Sequence, residues 1–172
     1  MSGPNVKIRP LAPGEIDAFL ELRREALAVA PLAFAASPED DRGSSAEFMR
    51  ESLGDPDNAA VLGAFDGEEL VGIAGVGRFS KKKQAHRAII WGMYVSPADR
   101  GRGLGRALLA AAVERARSWP GVLQVQLSVT DAAPEARRLY ESAGFREWGV
   151  EPRALGKDGQ YVTERHLVLP FD

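Results

Sequence analysis

Along the 172-residue chain the spacing of apolar residues switches several times between two and three-to-four, and each switch marks an element. Val6-Lys7-Ile8-Arg9 alternates and predicts a short first strand, which Pro10 and Pro13 end. Ile16, Phe19, Leu20, Ala26, Leu27 and Ala30 then recur at helical spacing, with charges between them, as far as Pro31. Pro31 to Ser45 has no period and predicts a long loop, a feature that is often functional in a compact domain. Glu47 to Leu53 predicts a short second helix.

Strands follow. Ala59 to Phe65 and Leu70 to Val76 are apolar runs divided by Asp66-Gly67, a hairpin turn signal. Beyond the polar Lys81-Lys82-Lys83-Gln84, Ala88 to Val95 is nearly continuous in apolar residues and predicts a central strand, closed by Pro97. From Gly103 the helical period returns, with Leu104, Leu108, Ala112, Ala116 and Trp119 on one side and Arg106, Glu114 and Arg117 on the other. Leu123, Val125, Leu127 and Val129 alternate with polar residues and predict a half-buried strand. Asp131 is spaced to cap a helix with Pro134 in its first turn, Ala136, Leu139, Tyr140 and Ala143 inward, and Gly144 as its stop. Phe145 to Val150 and Thr163 to Leu169 predict two closing strands, with a turn at Gly156 to Gln160. Trp91, Trp119 and Trp148 are expected in the core. The order predicts one α/β domain over residues 1–172, a mixed twisted sheet of about six to seven strands with helices on both faces.

Composition narrows the chemistry. There is no cysteine, which excludes disulfides, zinc–thiolate sites and a thiol nucleophile. The formal net charge of -2 and a pI of about 5.8 speak against bulk binding to nucleic acid. Lys81 to Lys83, with Arg78 and Arg87, form only a local basic patch. No apolar run reaches membrane-spanning length, and Met1 to Asn5 lacks the apolar core of a signal peptide. A cytoplasmic protein with neither a membrane nor a nucleic acid as partner is expected.

The richest stretch is Arg100-Gly101-Arg102-Gly103-Leu104-Gly105-Arg106, set between the predicted central strand and a helix. Glycines let a backbone approach a ligand closely, and the helix that follows offers unpaired N–H groups and a positive dipole end. That combination binds phosphate. A dinucleotide fingerprint needs a third glycine where Arg106 stands. A P-loop needs Gly-Lys-Ser/Thr where Gly105-Arg106-Ala107 stands.

Met93 to Leu109 resembles the acetyl-CoA signature of the GNAT superfamily of N-acetyltransferases, with Arg100, Gly103 and Gly105 at its Arg/Gln-x-x-Gly-x-Gly/Ala core. Ala136-x-x-Leu139-Tyr140-x-x-x-Gly144-Phe145 resembles the family's next helix and strand. The resemblance implies a GNAT-like fold whose central strands splay to admit CoA. It implies acetyl-CoA as acyl donor, no metal, and direct attack by a primary amine of a small molecule or peptide. The protein would be a monomer or a homodimer. A non-catalytic acyl-CoA-binding or sensor module is the alternative.

The resemblance also assigns roles. The turn from Arg100 to Arg106, through Gly101, Arg102, Gly103, Leu104 and Gly105, would hold the pyrophosphate. The backbone of Met93, Tyr94 and Val95 would bond the pantetheine arm and offer an N–H to the thioester oxygen, with Gly92 marking a bulge. Tyr140 would protonate the leaving thiolate. The family often has an asparagine contacting the cofactor where Ala133 stands, and Asp131 is the substitute. The family's strand glutamate is missing from Ala88 to Val95, so Glu164 is the first candidate base and His86 the second, with ordered water as the other route. The acceptor would enter between the Pro31–Ser45 loop and residues 151–161, past Phe34, Arg153 and Tyr161.

Overall fold

In the computed structural model, which describes residues 5–172, the switches of period become eleven regular elements apart from short 3-10 turns. They are β1 (Val6–Pro10), α1 (Ile16–Val29), α2 (Ala46–Leu53), β2 (Ala59–Asp66), β3 (Glu69–Arg78), β4 (Arg87–Val95), α3 (Leu104–Ser118), β5 (Gln124–Thr130), α4 (Pro134–Ser142), β6 (Arg146–Lys157) and β7 (Gln160–Pro170). The seven strands form one sheet in the order β1-β2-β3-β4-β5-β7-β6. Only β4 and β5 are parallel. The expected fold class is therefore met, including the mixed sheet and the helices on two faces.

Alternation along the strands divides the interior into two cores. Leu62 and Ala64 of β2 join Leu104, Leu108 and Ala112 of α3 and Tyr140 of α4 on one face. Val61 and Phe65 of the same strand join Phe19 and Leu20 of α1 and Met49 of α2 on the other. Trp91 lies over Gly75, where a Cβ would come within 2.1 Å of the indole, and Phe19 and Phe48 meet the ring edge-on. Among the described residues no helix is long and apolar enough to cross a membrane.

Four local expectations fail, each for a physical reason. β6 does not stop at Val150. A bulge between Glu151 and Leu155 takes up Pro152, Arg153 turns to φ 51°, and the strand resumes to Lys157. Trp148 is 61% exposed rather than in the core, because it sits in a second bulge, opposite the helix-covered face of the β6–β7 ribbon. Leu123 precedes β5 and is exposed. Asp131 does not cap α4: Ala133 holds the N-cap position without a side-chain bond, and the Asp131 carboxylate accepts instead from Arg165 Nε at 2.9 Å.

Candidate functional site

β4 and β5 pair over three residues only, Arg87↔Gln124, Ala88↔Val125 and Ile89↔Gln126. Beyond Ile89 they part, and the β5-facing edge of β4 has no strand partner. On its other side β4 carries a bulge: Trp91 pairs with Gly75 but Tyr94 with Ile73, and Gly92 takes φ 66°. One extra residue bends the strand at the point of separation. Gly92 is thus the bulge glycine that the sequence suggested.

The gap opens into a cleft of about 570 Å³, bounded by Met93, Tyr94 and Val95 of β4, by the glycine turn, and by Leu139 and Tyr140 of α4. Phe34, from the loop between α1 and α2, also lines it. Gly101 and Gly103 adopt φ 78° and 76°, and Gly103 is the left-handed N-cap of α3. No side chain caps that helix, so its first-turn N–H groups remain available to an anion. The turn therefore fits a phosphate group in backbone geometry as well as in charge.

Individual side chains divide more finely than the motif suggested. Arg100 and Arg106 line the cleft, and Arg100 donates from Nε to the Val95 carbonyl at 3.0 Å. Arg102 is held away, donating to Asp66 at 3.0 Å and Asp99 at 2.8 Å. Leu104 and Gly105 line the cleft, and a Cβ on Gly105 would lie 3.3 Å from Leu139. Asp131 is drawn onto Arg165, while its neighbours Ala132 and Ala133 line the cleft. Tyr140 is 7% exposed and packs against Phe145, and burial pushes its hydroxyl up to about 12. The Tyr94 hydroxyl donates to Glu25 of α1 at 2.9 Å. Burial and then that carboxylate raise it to about 12.

The opposite face of the sheet holds the first candidate base. Glu164 of β7 lies across from Thr130 on β5 and Glu151 on β6. His166, two residues on, shares its face. The His166 Nδ1 is 2.8 Å from Ser128 Oγ and 4.0 Å from Glu164 Oε1, and its Nε2 is 3.3 Å from Glu151 Oε2. Burial, more than the nearby Glu151, raises the Glu164 carboxyl, although His166 pulls it down. His86 is exposed at the start of β4, where its carbonyl accepts from Leu123 N at 2.7 Å. That is the paired end of β4 and β5, at the other end of the strand from Met93.

The loop between α1 and α2 is fastened on this face. Thr130 Oγ1 donates to the Leu32 carbonyl at 2.7 Å. Arg23 of α1, 6% exposed, makes a two-pronged pair with Asp41 at 2.9 and 3.0 Å, and Asp41 also accepts from Gly43 N and Ser44 Oγ. The third guanidinium nitrogen, Nη1, has no partner and lies against Gly92, where a Cβ would come within 3.1 Å of it. Phe34 borders the cleft. Arg153 and Tyr161 are exposed on the β6–β7 ribbon.

A family model, described as acetyltransferase (GNAT) family, matches residues 19–145. The chain belongs to that family. The matched span runs from α1 through the glycine turn to Phe145, so it includes Tyr140 and stops before β6 and β7. Among GNAT relatives, RimI of Mycobacterium tuberculosis, an N-alpha-acetyltransferase, is 37% identical over 114 residues, 66% of this chain and 68% of that protein. A mycothiol acetyltransferase of Acidothermus cellulolyticus is 34% identical over 164 residues, 86% of this chain but 46% of that protein. The chain thus spans less than half the length of the mycothiol acetyltransferases it matches first. The GNAT fold recurs in yncA of Salmonella typhimurium, solved with its cofactor acetyl-CoA, at TM-score 0.84, 22% identity, and coverage of 98% of this chain and 95% of that one. A GCN5-related N-acetyltransferase of Kribbella flavida gives TM-score 0.81 at 27% identity, over 97% of this chain and 98% of that one.

Sequence reasoning passed over two groups that had signals. Arg23 falls four residues after Phe19 and four before Leu27, on the apolar stripe of its helix, where a charge implies a buried partner. His166 is two residues from Glu164, the spacing that puts both on one face of a strand.

Proposed function

We propose that this chain is an N-acetyltransferase that moves acetyl from acetyl-CoA to the primary amine of a small molecule or peptide. The observation that carries the reading is a single cleft lined by the uncapped glycine turn, the open edge of β4 and Tyr140. Acetyl-CoA supplies the activated acyl group. Backbone N–H groups of residues 101–106, with Arg100 and Arg106, hold its pyrophosphate. The free edge of Met93 to Val95 takes the extended arm as a sheet takes an added strand, and one of its N–H groups receives the thioester oxygen.

The amine enters from the α1–α2 face. Glu164 removes the proton that an ammonium carries in place of a lone pair. A carboxylate raised by burial is better matched to that work than an ordinary one. The nitrogen bonds the thioester carbon and the carbon–sulfur bond breaks. Tyr140 gives its proton to the departing sulfur and takes back the second proton that the acylated nitrogen loses, so the products are the amide and free CoA thiol and the tyrosine is restored. Its hydroxyl, held near 12, still carries a proton when a thiolate of pKa about 8.5 forms beside it.

RimI acts, by its name, on an alpha-amino group, so peptide N-termini belong in the assay beside alkylamines and amino acids. The test is release of free CoA over such a panel. We expect saturable release with one class of primary amine. Acetyl-CoA binding without release above hydrolysis across the panel would make the chain a sensor instead.

A further inference from the structure

We propose that His166 and Glu151 carry the acceptor's proton from Glu164 to solvent. The inference rests on Glu164 being the base, and it concerns what happens to the proton afterwards. Glu164 is partly screened from water: its side chain is 19% exposed, and among the described residues its one ion-pair contact is His166. A base whose proton leaves slowly limits every turnover.

The cluster is graded. Side-chain exposure rises from 19% at Glu164 to 24% at His166 and 59% at Glu151. Their ligating atoms lie within 4.8 Å of one another on the face that also presents the α1–α2 loop. The imidazole stands between the carboxylates with its nitrogens turned opposite ways. Nδ1 faces Ser128 Oγ and Glu164, and Nε2 faces Glu151 at 3.3 Å. Trp148 lies against the ring, centroids 5.3 Å apart and planes tilted by 30°, and helps to hold that orientation. Imidazole takes a proton on one nitrogen while releasing one from the other, so charge crosses the ring without the ring moving.

The steps balance. R–NH3+ and the Glu164 carboxylate become R–NH2 and the carboxylic acid. The acid passes its proton to Nδ1. The 4.0 Å gap closes by rotation of the carboxyl, in the way such contacts tighten around substrate. Nε2–H passes a proton to Glu151, which gives it to water, and the ring regains its starting tautomer by exchanging protons with solvent before the next turnover. Ser128 Oγ, 2.8 Å from Nδ1, swings aside as the carboxyl turns in, and the other groups on this face are committed elsewhere. The Thr130 hydroxyl is committed to the Leu32 carbonyl, and Ser128 is a neutral partner of Nδ1. Arg165 is on the opposite face, bonded to Asp131 and Glu147. All three relay residues lie beyond the span the family model matches, so the path belongs to this chain's own C-terminal ribbon.

The experiment uses the full chain and an accepted amine, with Glu164→Gln, His166→Ala and Glu151→Gln. Acetyl-CoA affinity is measured by calorimetry. We expect His166→Ala to lose at least about tenfold in kcat with acetyl-CoA affinity unchanged, and added imidazole to restore turnover saturably. Glu151→Gln should cost less in kcat than His166→Ala, because solvent can take the proton from Nε2 directly, with acetyl-CoA affinity again unchanged. Full activity in His166→Ala beside a crippled Glu164→Gln overturns the relay and leaves the base. Full activity in Glu164→Gln overturns both. A folded His166→Ala that is slow and indifferent to imidazole reduces His166 to a structural residue and also overturns the relay.

Discussion

Tyr140 is the residue at which the proposed chemistry meets the packing of the core. Its ring is buried against Phe145 at the root of α4, and its other side lines the cleft. The same burial pushes its hydroxyl up to about 12, so the group is a proton donor at every pH where an amine acceptor reacts. Tyr140→Phe keeps the ring and removes the proton. It should lower kcat by about 10²–10⁴-fold and leave acetyl-CoA affinity unchanged, since the lost interaction arises only as thiolate forms. Rapid-quench kinetics with a good amine and calorimetry on the same sample check both halves. Glu164 has its own signature. The kcat/KM profile should rise with pH through an inflection higher than that of an exposed glutamate, and that inflection should vanish in Glu164→Gln.

At the scale of elements, the α1–α2 loop is an ordered wall because Arg23 and Asp41 clamp it from within. The pair is nearly dry, with side chains 8% and 3% exposed. Burial alone would raise the Asp41 carboxyl, but hydrogen bonds from Arg23 and Ser44 outweigh it and hold the group below its ordinary value. The sign follows directly. Stabilisation by the pair is full above the ordinary carboxylate pKa and drains away as pH falls through the lower native value. Asp41→Asn strands a buried guanidinium and should cost about 3–5 kcal/mol, read by urea unfolding at neutral pH. The cost should shrink in acid, where the parent protein loses the pair as well.

Most elements could be read from periodicity, since α3 and β5 bury the residues that their spacing turned inward. The glycine turn could be read because helix-start chemistry is local. What could not be read depended on distant partners. Asp131 had the spacing of a cap, but Arg165, brought beside it by the pairing of β5 and β7, is a stronger partner than a backbone N–H. Arg102 had the spacing of a phosphate ligand, but Asp66 at the end of β2 claims it. Trp148 followed the general rule for tryptophan, and a bulge turned it outward.

At the scale of the whole molecule, two cores share a sheet that is continuous through only three residue pairs of β4 and β5. A ligand that bridges β4, the glycine turn and α4 should therefore stabilise the entire fold. Acetyl-CoA at 100 times its Kd should add about 2.7 kcal/mol, visible as a rise in Tm. Gly103→Val puts a β-branched residue at φ 76° and obstructs the approach to the turn. It should abolish that rise, and an undiminished ligand-induced shift in this variant would remove the turn from the binding site.

The parting of β4 from β5 has a consequence for solubility. Unpaired strand edges normally lie at the rim of a sheet, where they template aggregation and are blunted by charge, proline or brevity. This chain also carries an open edge in the middle of the sheet, along Ile90 to Val95, where those devices would destroy the cleft. Protection comes from geometry instead. The slot is walled by Leu139 and Tyr140 on one side and Phe34 on the other, and the loop bearing Phe34 is tied to β5 through Leu32 and Thr130. A foreign β-strand would have to displace these walls before it could pair with the edge. The side chains that shape the slot are thus also a shield against strand addition.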